Sequence, residues 1–208
     1  ESIAHGKGHR LPEEERALGY ALACEARIYG DISVETIEKA TGKAMKILDH
    51  GKSFDLHLDS YITKKYDEAE DLTTIYGGEE ELGTETGDTT EECFGVVVDI
   101  GTTTLVASLV DLITGKEVDS ISSLNPQAIH AQDVLSRIKL ASEEDGLKLM
   151  YSELNKEINR MIAGLSKQNN VNNQRVYEVV FSGNTCMLHL AANINPYSLG
   201  KFPYTPEI

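Results

Sequence analysis

The C-terminal half of the chain alternates between apolar runs that are typical of strands and short polar turns. Phe94–Ile100 is a nearly continuous run of apolar, mostly β-branched residues, which predicts a buried strand. Residues 103–112 and 116–123 predict two further strands, with a turn signal at Thr114 and Gly115 between them. Turns this short join antiparallel neighbours, so we expect a three-stranded meander.

A long amphipathic helix and a second strand–helix pair follow the meander. Residues 143–165 place apolar side chains at helical spacing: Leu147, Met150, Leu154, Ile158, Met161 and Leu165. Residues 176–181 then predict a fourth strand, and residues 186–193 a second helix. The resulting order of elements is similar to the α/β, ribonuclease H-like half-core of the actin, sugar-kinase and Hsp70 superfamily, which is the fold class that we expect.

The first 92 residues give weaker patterns. Residues 11–29 predict a helix with an acidic first turn, and residues 32–35 alternate like a short strand. Residues 43–50 and 54–58 predict a short helix and a strand. Residues 67–92 carry eleven acidic residues and no Lys or Arg, which favours a solvated, flexible linker; a docking tail for a basic partner is the alternative.

The charge balance of the chain disfavours some partners. Its 208 residues carry a net charge of −15, which would repel nucleic acid and anionic membranes, whereas a nucleotide can still be bound by local loops and magnesium. No apolar run approaches the roughly 20 residues that span a bilayer, and no signal peptide opens the chain. The cysteines Cys24, Cys93 and Cys186 are scattered and form no CxxC pair, so we expect a reducing, cytoplasmic compartment.

The segment from Asp99 to Thr104 has the composition of a phosphate-binding loop. An acidic residue ends the first strand, and the turn that follows consists of Gly101, Thr102, Thr103 and Thr104. Glycine lets the backbone approach a phosphate closely, and backbone N–H groups and hydroxyls can donate to its oxygens. The Asp99 carboxylate suits Mg²⁺, directly or through water. The alternative is a plain β-hairpin, in which an acid at the end of a buried strand would need another partner.

A second glycine-containing turn follows the fourth strand. The strand ends and a helix begins at Ser182, Gly183, Asn184 and Thr185. The free N–H groups of a helix start can bind an anion. The resemblance to the superfamily implies that these residues face the γ-phosphate or acceptor side of the same cleft. The alternative is a simple helix cap by Asn184 or Thr185.

A third segment combines a turn with polar residues of a helix. Residues 124–127 (LNPQ) contain an Asn-Pro turn signal. Asp133 and Arg137 stand four residues apart, the spacing of an ordinary ion pair on a helix, so their chemistry alone indicates a structural role. His130 and His189 are isolated in the sequence, and we expect packing or solvent roles for them rather than metal ligation.

Several segments together resemble the reductive activators of corrinoid proteins: residues 96–104 (VVVDIGTTT), 124–138 (LNPQ…DVLSRI), 181–190 (FSGNTCMLHL) and 195–206 (NPYSLGKFPYTP). The resemblance implies an ATP-dependent enzyme that returns a corrinoid protein from Co(II) to Co(I) and so supports methyl transfer in anaerobes. It implies ATP and Mg²⁺ as cofactors, a corrinoid protein and an electron donor as partners, and a homodimer. Asp99 would place Mg²⁺, and residues 101–104 and 182–185 would bind the phosphates.

The same resemblance divides the chain into three parts. Residues 1–38 look like the end of a plant-type 2Fe–2S ferredoxin domain, in which Cys24 would be one cluster ligand. Residues 39–92 would be an acidic linker or a short middle region, and residues 93–208 the N-terminal half of an actin-like ATPase domain. The other cluster cysteines and the second ATPase half are missing from the sequence, so we expect a fragment cut at both ends that holds no cluster and is inactive by itself.

Two other functions fit parts of the pattern. A small-molecule kinase of the sugar-kinase type would have an acceptor site beside residues 182–185, but the ferredoxin-like segment around Cys24 is foreign to such kinases. A non-catalytic scaffold with a degenerate ATPase fold is the other alternative. The intact Asp99 and the loop 101–104 argue against it.

Overall fold

The computed structural model describes residues 3–5, 12–21, 26–35 and 58–208. The chain divides into two compact units, Glu1–Lys46 and Ile47–Ile208. Cys24 and the helix predicted at residues 43–50 lie outside the described residues, as does most of the strand predicted at residues 54–58.

The described part of the first unit contains one strand pair and one short helix. β1 (Ile3–His5) pairs antiparallel with β2 (Ala26–Ile28). α1 (Glu13–Ala17) has the predicted acidic first turn but ends after five residues. Gly19 follows with a φ of +88°, a left-handed conformation that ends helices, so the prediction of a longer helix is wrong. No strand forms at residues 32–35, because the alternation of apolar and polar residues there is too short to specify a pairing partner.

The first described strands of the second unit form a three-stranded antiparallel sheet. It consists of β3 (Ile62–Asp67), β4 (Leu72–Gly77) and β5 (Glu80–Thr86), in the order β3-β4-β5. Gly78, with a φ of +61°, supplies the tight turn between β4 and β5. Residues 67–92 are therefore not the flexible linker that their charge predicted.

The acidic composition concealed a period-2 pattern in this small sheet. Thr73 and Ile75 of β4 are buried and alternate with half-buried neighbours. Glu80 and Glu81 lie at exposed positions of β5, where a charge costs little. The sheet therefore folds because Ile62, Thr73 and Ile75 are buried on one face, while most of its acids remain in water.

The main sheet of the second unit has four strands in the order β8-β7-β6-β9. β6 (Phe94–Ile100) pairs antiparallel with β7 (Thr104–Asp111), and β7 pairs antiparallel with β8 (Lys116–Leu124). β9 (Val176–Gly183) pairs parallel with β6. The predicted meander and fourth strand are confirmed, and the parallel pairing is possible because a long helical connection precedes β9.

Two helices, α3 (Gly146–Gln168) and α4 (Thr185–Ala191), pack against one face of the main sheet, and α2 (Val134–Ala141) packs against both of them. The buried side chains of α3 recur every three or four residues, as predicted: Met150, Leu154, Ile158, Met161 and Leu165. They form one core with inward side chains of β6 and β7: Val96, Val98, Ile100, Leu105, Ala107 and Leu109. Burying each large apolar side chain contributes about 1.5–3 kcal/mol. Within the described residues, no helix is long and apolar enough to cross a lipid bilayer.

The opposite face of the main sheet is partly exposed. Val97 and Asp99 alternate with the buried residues of β6, and Val97 is 41% exposed. The expectation that Phe94–Ile100 is a fully buried strand is therefore wrong for this face. The helices cover only the side of β6 that carries Val98 and its inward neighbours, so apolar composition overstated the burial.

Candidate functional site

The two glycine-containing turns of the sequence meet at one edge of the main sheet. In the parallel pairing of β6 with β9, Asp99 lies opposite Ser182 and Ile100 lies opposite Gly183. Beyond the strand ends, the Asn184 side-chain amide donates a hydrogen bond to the Thr102 hydroxyl, at 3.3 Å. The turns thus form one continuous surface, although they are far apart in the sequence.

Both glycines in this surface are required by close backbone packing. A Cβ at Gly101 would lie 2.5 Å from the carbonyl oxygen of Thr104, and a Cβ at Gly183 would lie 2.9 Å from the carbonyl oxygen of Ile100. No side chain fits at such distances without moving the backbone. The glycines therefore let the loop fold tightly on itself, independently of any ligand.

The loop between β6 and β7 is held from its inner side by hydrogen bonds to three successive carbonyl oxygens. The Asn125 side-chain amide donates to the Gly101 oxygen at 2.8 Å, and the Arg137 guanidinium donates to the Thr102 oxygen at 2.6 Å. The backbone N–H of Asn125 donates to the Thr103 oxygen at 2.8 Å. In a trans peptide the C=O and the following N–H point in opposite directions, so the N–H groups of Thr102 and Thr103 face away from these donors.

Side chains of the second turn are accessible from solvent. Ser182, Asn184 and Thr185 are exposed, as is Thr103 of the first turn. The Asn184 side chain also accepts a hydrogen bond from the Met187 N–H at 3.1 Å, so it caps α4. Asn184 therefore does both things: it caps the helix, and it contacts the facing loop.

Asp99 is exposed on the open face of the sheet rather than buried. The expectation of a buried carboxylate in need of a partner is wrong, because alternation along β6 turns Asp99 away from the core. Among the described residues no group of three or more His, Cys, Asp or Glu side chains could hold a metal ion. Asp99 could supply carboxylate oxygen to a magnesium ion whose other ligands are water and phosphate.

Arg137 is a polar residue behind the loop, and its predicted pairing with Asp133 is wrong. It is fully buried and does not form the predicted pair with Asp133, whose side chain instead caps α2 by accepting from the Ser136 N–H at 3.0 Å. Its guanidinium donates to the Ala131 oxygen at 2.9 Å as well as to Thr102. Burial lowers the pKa of Arg137 from its usual value, against the nearby Cys186 and Asp133, which raise it.

Two further buried polar residues connect Arg137 to the rest of the fold. Gln127 accepts from the Arg137 guanidinium at 3.1 Å and donates to the Met150 carbonyl oxygen of α3 at 2.9 Å. Asn125 accepts from the Gln127 N–H at 3.0 Å. The sequence carries no specific signal for this network, because polar and apolar residues are mixed throughout residues 125–137.

The remaining cysteines and histidines have structural surroundings. Cys93 and Cys186 are buried, free thiols, and burial raises the pKa of Cys186 to about 11. His189 is buried, with Nδ1 2.7 Å from the Thr185 carbonyl oxygen, and its Nε2 accepts from the Glu207 N–H at 2.9 Å. His130 is exposed. The predicted packing or solvent roles of the two histidines are confirmed.

Comparisons with known proteins point to corrinoid activation. Residues 94–208 match a protein-family model described as the RACo middle region. A curated protein described as corrinoid activation enzyme RamQ, from Eubacterium limosum, is 33% identical over 112 residues, which cover 53% of this chain and 19% of that protein. A solved structure described as a reductive activator for corrinoid, iron-sulfur protein matches with a TM-score of 0.66 and 25% sequence identity. That match covers 99% of this chain and 42% of the chain in the solved structure. The chain therefore spans less than half the length of both relatives.

Proposed function

Because this chain belongs to the family of reductive activators of corrinoid proteins, through the middle region that residues 94–208 match, we propose that the complete protein drives the reduction of a corrinoid protein from Co(II) to Co(I) with ATP. Both relatives are named for the activation of corrinoid proteins, which supports that substrate. The proposed partners are a corrinoid protein and an electron donor, the proposed compartment is the cytoplasm, and the proposed assembly is a homodimer.

The observation that carries the ATP-binding part of this proposal is the inward orientation of three loop carbonyls. Asn125 and Arg137 hold the oxygens of Gly101, Thr102 and Thr103 on the protein side. The N–H groups of Thr102 and Thr103 are thereby turned to the other side, where they can donate to phosphate oxygens. An anion at this position would meet preorganised donors rather than carbonyl lone pairs.

The fold supports the proposal of a nucleotide site at the edge of the main sheet where β6 and β9 end. A meander followed by helices and a parallel strand, in the order β8-β7-β6-β9, is the arrangement expected for a ribonuclease H-like half-core of the actin-like ATPases. We propose that residues 93–208, which include the match to the family's middle region, are the N-terminal half of such a domain. A connecting segment at 39–92 and a ferredoxin-domain remnant at 1–38 would precede it. Residues 58–91 of the connecting segment would include the small folded sheet.

The side chains of the site have distinct proposed roles. Asp99 would place Mg²⁺ beside the phosphates, because its carboxylate is exposed at the end of β6. Bound Mg-ATP would supply the free energy that makes the corrinoid reduction favourable. Gly101 and the three threonines 102–104 would grip the terminal phosphates, and residues 182–185 would line the other side of the cleft.

The residues of this chain do not fit a complete iron–sulfur cluster. A plant-type 2Fe–2S cluster needs four cysteine thiolates, whereas this sequence has three cysteines. Cys93 and Cys186 are buried thiols of the second unit. Cys24 would be one ligand, and the remaining ligands would have to come from outside this sequence.

An absorbance experiment tests the proposed function. The complete protein is mixed with a Co(II) corrinoid protein, a low-potential reductant and Mg-ATP, and the Co(I) band is recorded with and without ATP. We expect the band to grow only with ATP, and Asp99→Asn to slow its growth by about 100-fold or more. Asp145→Asn is the matched control, because Asp145 is an exposed aspartate that makes no cap hydrogen bond at the start of α3. Equal formation of Co(I) with and without ATP would refute the proposed dependence on ATP.

A further inference from the structure

Arg137 is a buried cation that makes no ion pair among the described residues. Its side chain is 0% exposed, yet its polar contacts are neutral: carbonyl oxygens, an amide oxygen and a thioether sulfur. An arginine remains protonated at any physiological pH. Burying such a charge without a carboxylate is costly and needs a reason other than stability.

The contacts of Arg137 join both turns of the candidate site. One terminal nitrogen donates to the Thr102 carbonyl oxygen at 2.6 Å, in the loop after β6. The other terminal nitrogen lies 3.1 Å from the Gln127 amide oxygen and 3.0 Å from the sulfur of Met187. Met187 lies in the first turn of α4, where its N–H donates to the Asn184 side chain. A single guanidinium therefore connects the loop and the start of α4.

The hydrogen bond to Thr102 decides the orientation of one peptide plane. The middle peptide of a glycine-containing loop could rotate and present its carbonyl oxygen to the outside, where it would repel an anion. The Arg137 contact holds this oxygen inward and so keeps the Thr103 N–H directed outward. A charge-assisted bond at 2.6 Å is among the stronger hydrogen bonds that a protein can make.

We propose that Arg137 is a positioning residue for phosphate: it locks the Thr102–Thr103 peptide with its N–H toward the ligand, and its unpaired positive charge behind the loop favours the polyphosphate. The inference rests on the proposed nucleotide site and assigns it a cation that does not contact the ligand. The burial of that charge is then explained, because an anion on the far side of one peptide layer compensates it.

The test measures the affinities of the complete protein for Mg-ATP, Mg-ADP and adenosine by titration calorimetry. Two variants are compared with the wild type: Arg137→Met, which removes the charge and the donors, and Arg137→Lys, which keeps the charge but cannot reproduce the planar fork. Arg160→Met is the matched control, because Arg160 is an exposed arginine of α3 that pairs with Glu157. Thermal unfolding shows whether each variant is folded.

We expect Arg137→Met to weaken Mg-ATP and Mg-ADP binding by about 10- to 100-fold, the loss typical of a hydrogen bond from a charged group, and to leave adenosine binding unchanged. Arg137→Lys should fold and give a smaller loss, again confined to the phosphorylated ligands. In steady-state ATP hydrolysis the KM should rise more than kcat falls, since the loop would bind phosphate before and during reaction. The Arg160→Met control should bind all three ligands as the wild type does.

The possible failures are distinguishable. A wild-type protein that binds no nucleotide overturns both the proposed function and the role of Arg137. A wild type that binds Mg-ATP, together with a folded Arg137→Lys or Arg137→Met protein of unchanged affinity, overturns the role of Arg137 alone. Equal losses for adenosine and Mg-ATP would show a merely structural role and would also overturn the inference.

Discussion

Glu85 of β5 makes a large pH-dependent contribution to the stability of the second unit. Its carboxylate contacts Lys64 Nζ at 2.9 Å, Arg175 Nη1 at 2.5 Å, the Tyr177 hydroxyl at 2.6 Å and the Thr89 hydroxyl at 2.5 Å. Burial alone would raise the pKa of Glu85, but the hydrogen bonds and the charge of Lys64 outweigh it and lower the pKa from 4.5 to about 2. The side chains of Glu85 and Lys64 are only 11% and 2% exposed, so solvent screens the pair little.

The lowered pKa converts into a stability difference with a defined sign. A shift from 4.5 to about 2 corresponds to about 3 kcal/mol, at about 1.4 kcal/mol per pKa unit. Because the folded-state pKa of Glu85 lies below its unfolded value, the stabilisation is fully present above pH 4.5 and is lost as the pH falls toward 2. At pH 3 roughly three-fifths of it should be gone.

Glu85→Gln tests this magnitude in urea unfolding of the chain at pH 7 and pH 3. We expect the variant to lose about 3 kcal/mol at pH 7, because Lys64 and Arg175 remain without their shared carboxylate, and much less at pH 3. Glu153→Gln is the matched control, since Glu153 forms an exposed pair with Lys156 and should cost less than about 1 kcal/mol at either pH. The reasoning is refuted if Glu85→Gln is as stable as the wild type at pH 7, or if both lose stability equally on acidification.

Three further outcomes follow from particular contacts. Gly101→Ala should lower the free energy of unfolding by about 1–3 kcal/mol and weaken Mg-ATP binding, because its Cβ would lie 2.5 Å from the Thr104 carbonyl oxygen. Gly164→Ala in α3 is the control, and it should be neutral or stabilising because the nearest atom is 3.5 Å away. A Gly164→Ala protein less stable than Gly101→Ala would contradict the packing argument. Met161→Ala, at a fully buried position of α3, should cost about 2–5 kcal/mol, and a loss below about 1 kcal/mol would argue against this core. Cys186 should resist alkylation by iodoacetamide at pH 8 until denaturant is added, since burial raises its pKa to about 11. Mass spectrometry detects the alkylated thiol, and rapid alkylation of Cys186 in the folded chain would contradict its burial.

The parts of the fold with strong periodicity could be predicted from the sequence, and those governed by tertiary contacts could not. The strands of the main sheet and the helix α3 follow from local patterns of apolar residues. The small sheet was missed because its acids dominate the composition, although Thr73 and Ile75 alternate in β4. Its stability depends on Glu85 finding cations from other elements, which no local pattern shows.

The candidate site shows the same division. The positions of Gly101 and Gly183 at strand ends were predictable, because glycine and polar residues directly follow apolar runs. The burial of Asp99 was predicted wrongly, since a run of apolar residues does not show that only one face of β6 is covered. Arg137 was misassigned because the i,i+4 spacing to Asp133 is a local rule, whereas its acceptors lie in three other segments.

The Glu85 and Arg137 networks lie at opposite ends of β9 and should respond independently to mutation. Tyr177, near the first residue of β9, joins the strand to Glu85 and the small sheet, while Gly183, at its last residue, borders the candidate site. At the Glu85 end the cations are paired with a carboxylate, so the network stabilises the folded chain and depends on pH. At the other end Arg137 has no carboxylate partner within the described part of the chain, so its charge remains available to an anion. Glu85→Gln should therefore lower stability at pH 7 without changing Mg-ATP affinity. Arg137→Lys should weaken Mg-ATP binding and leave the pH dependence of stability as in the wild type; coupling between the two effects would mean that β9 transmits strain along its length.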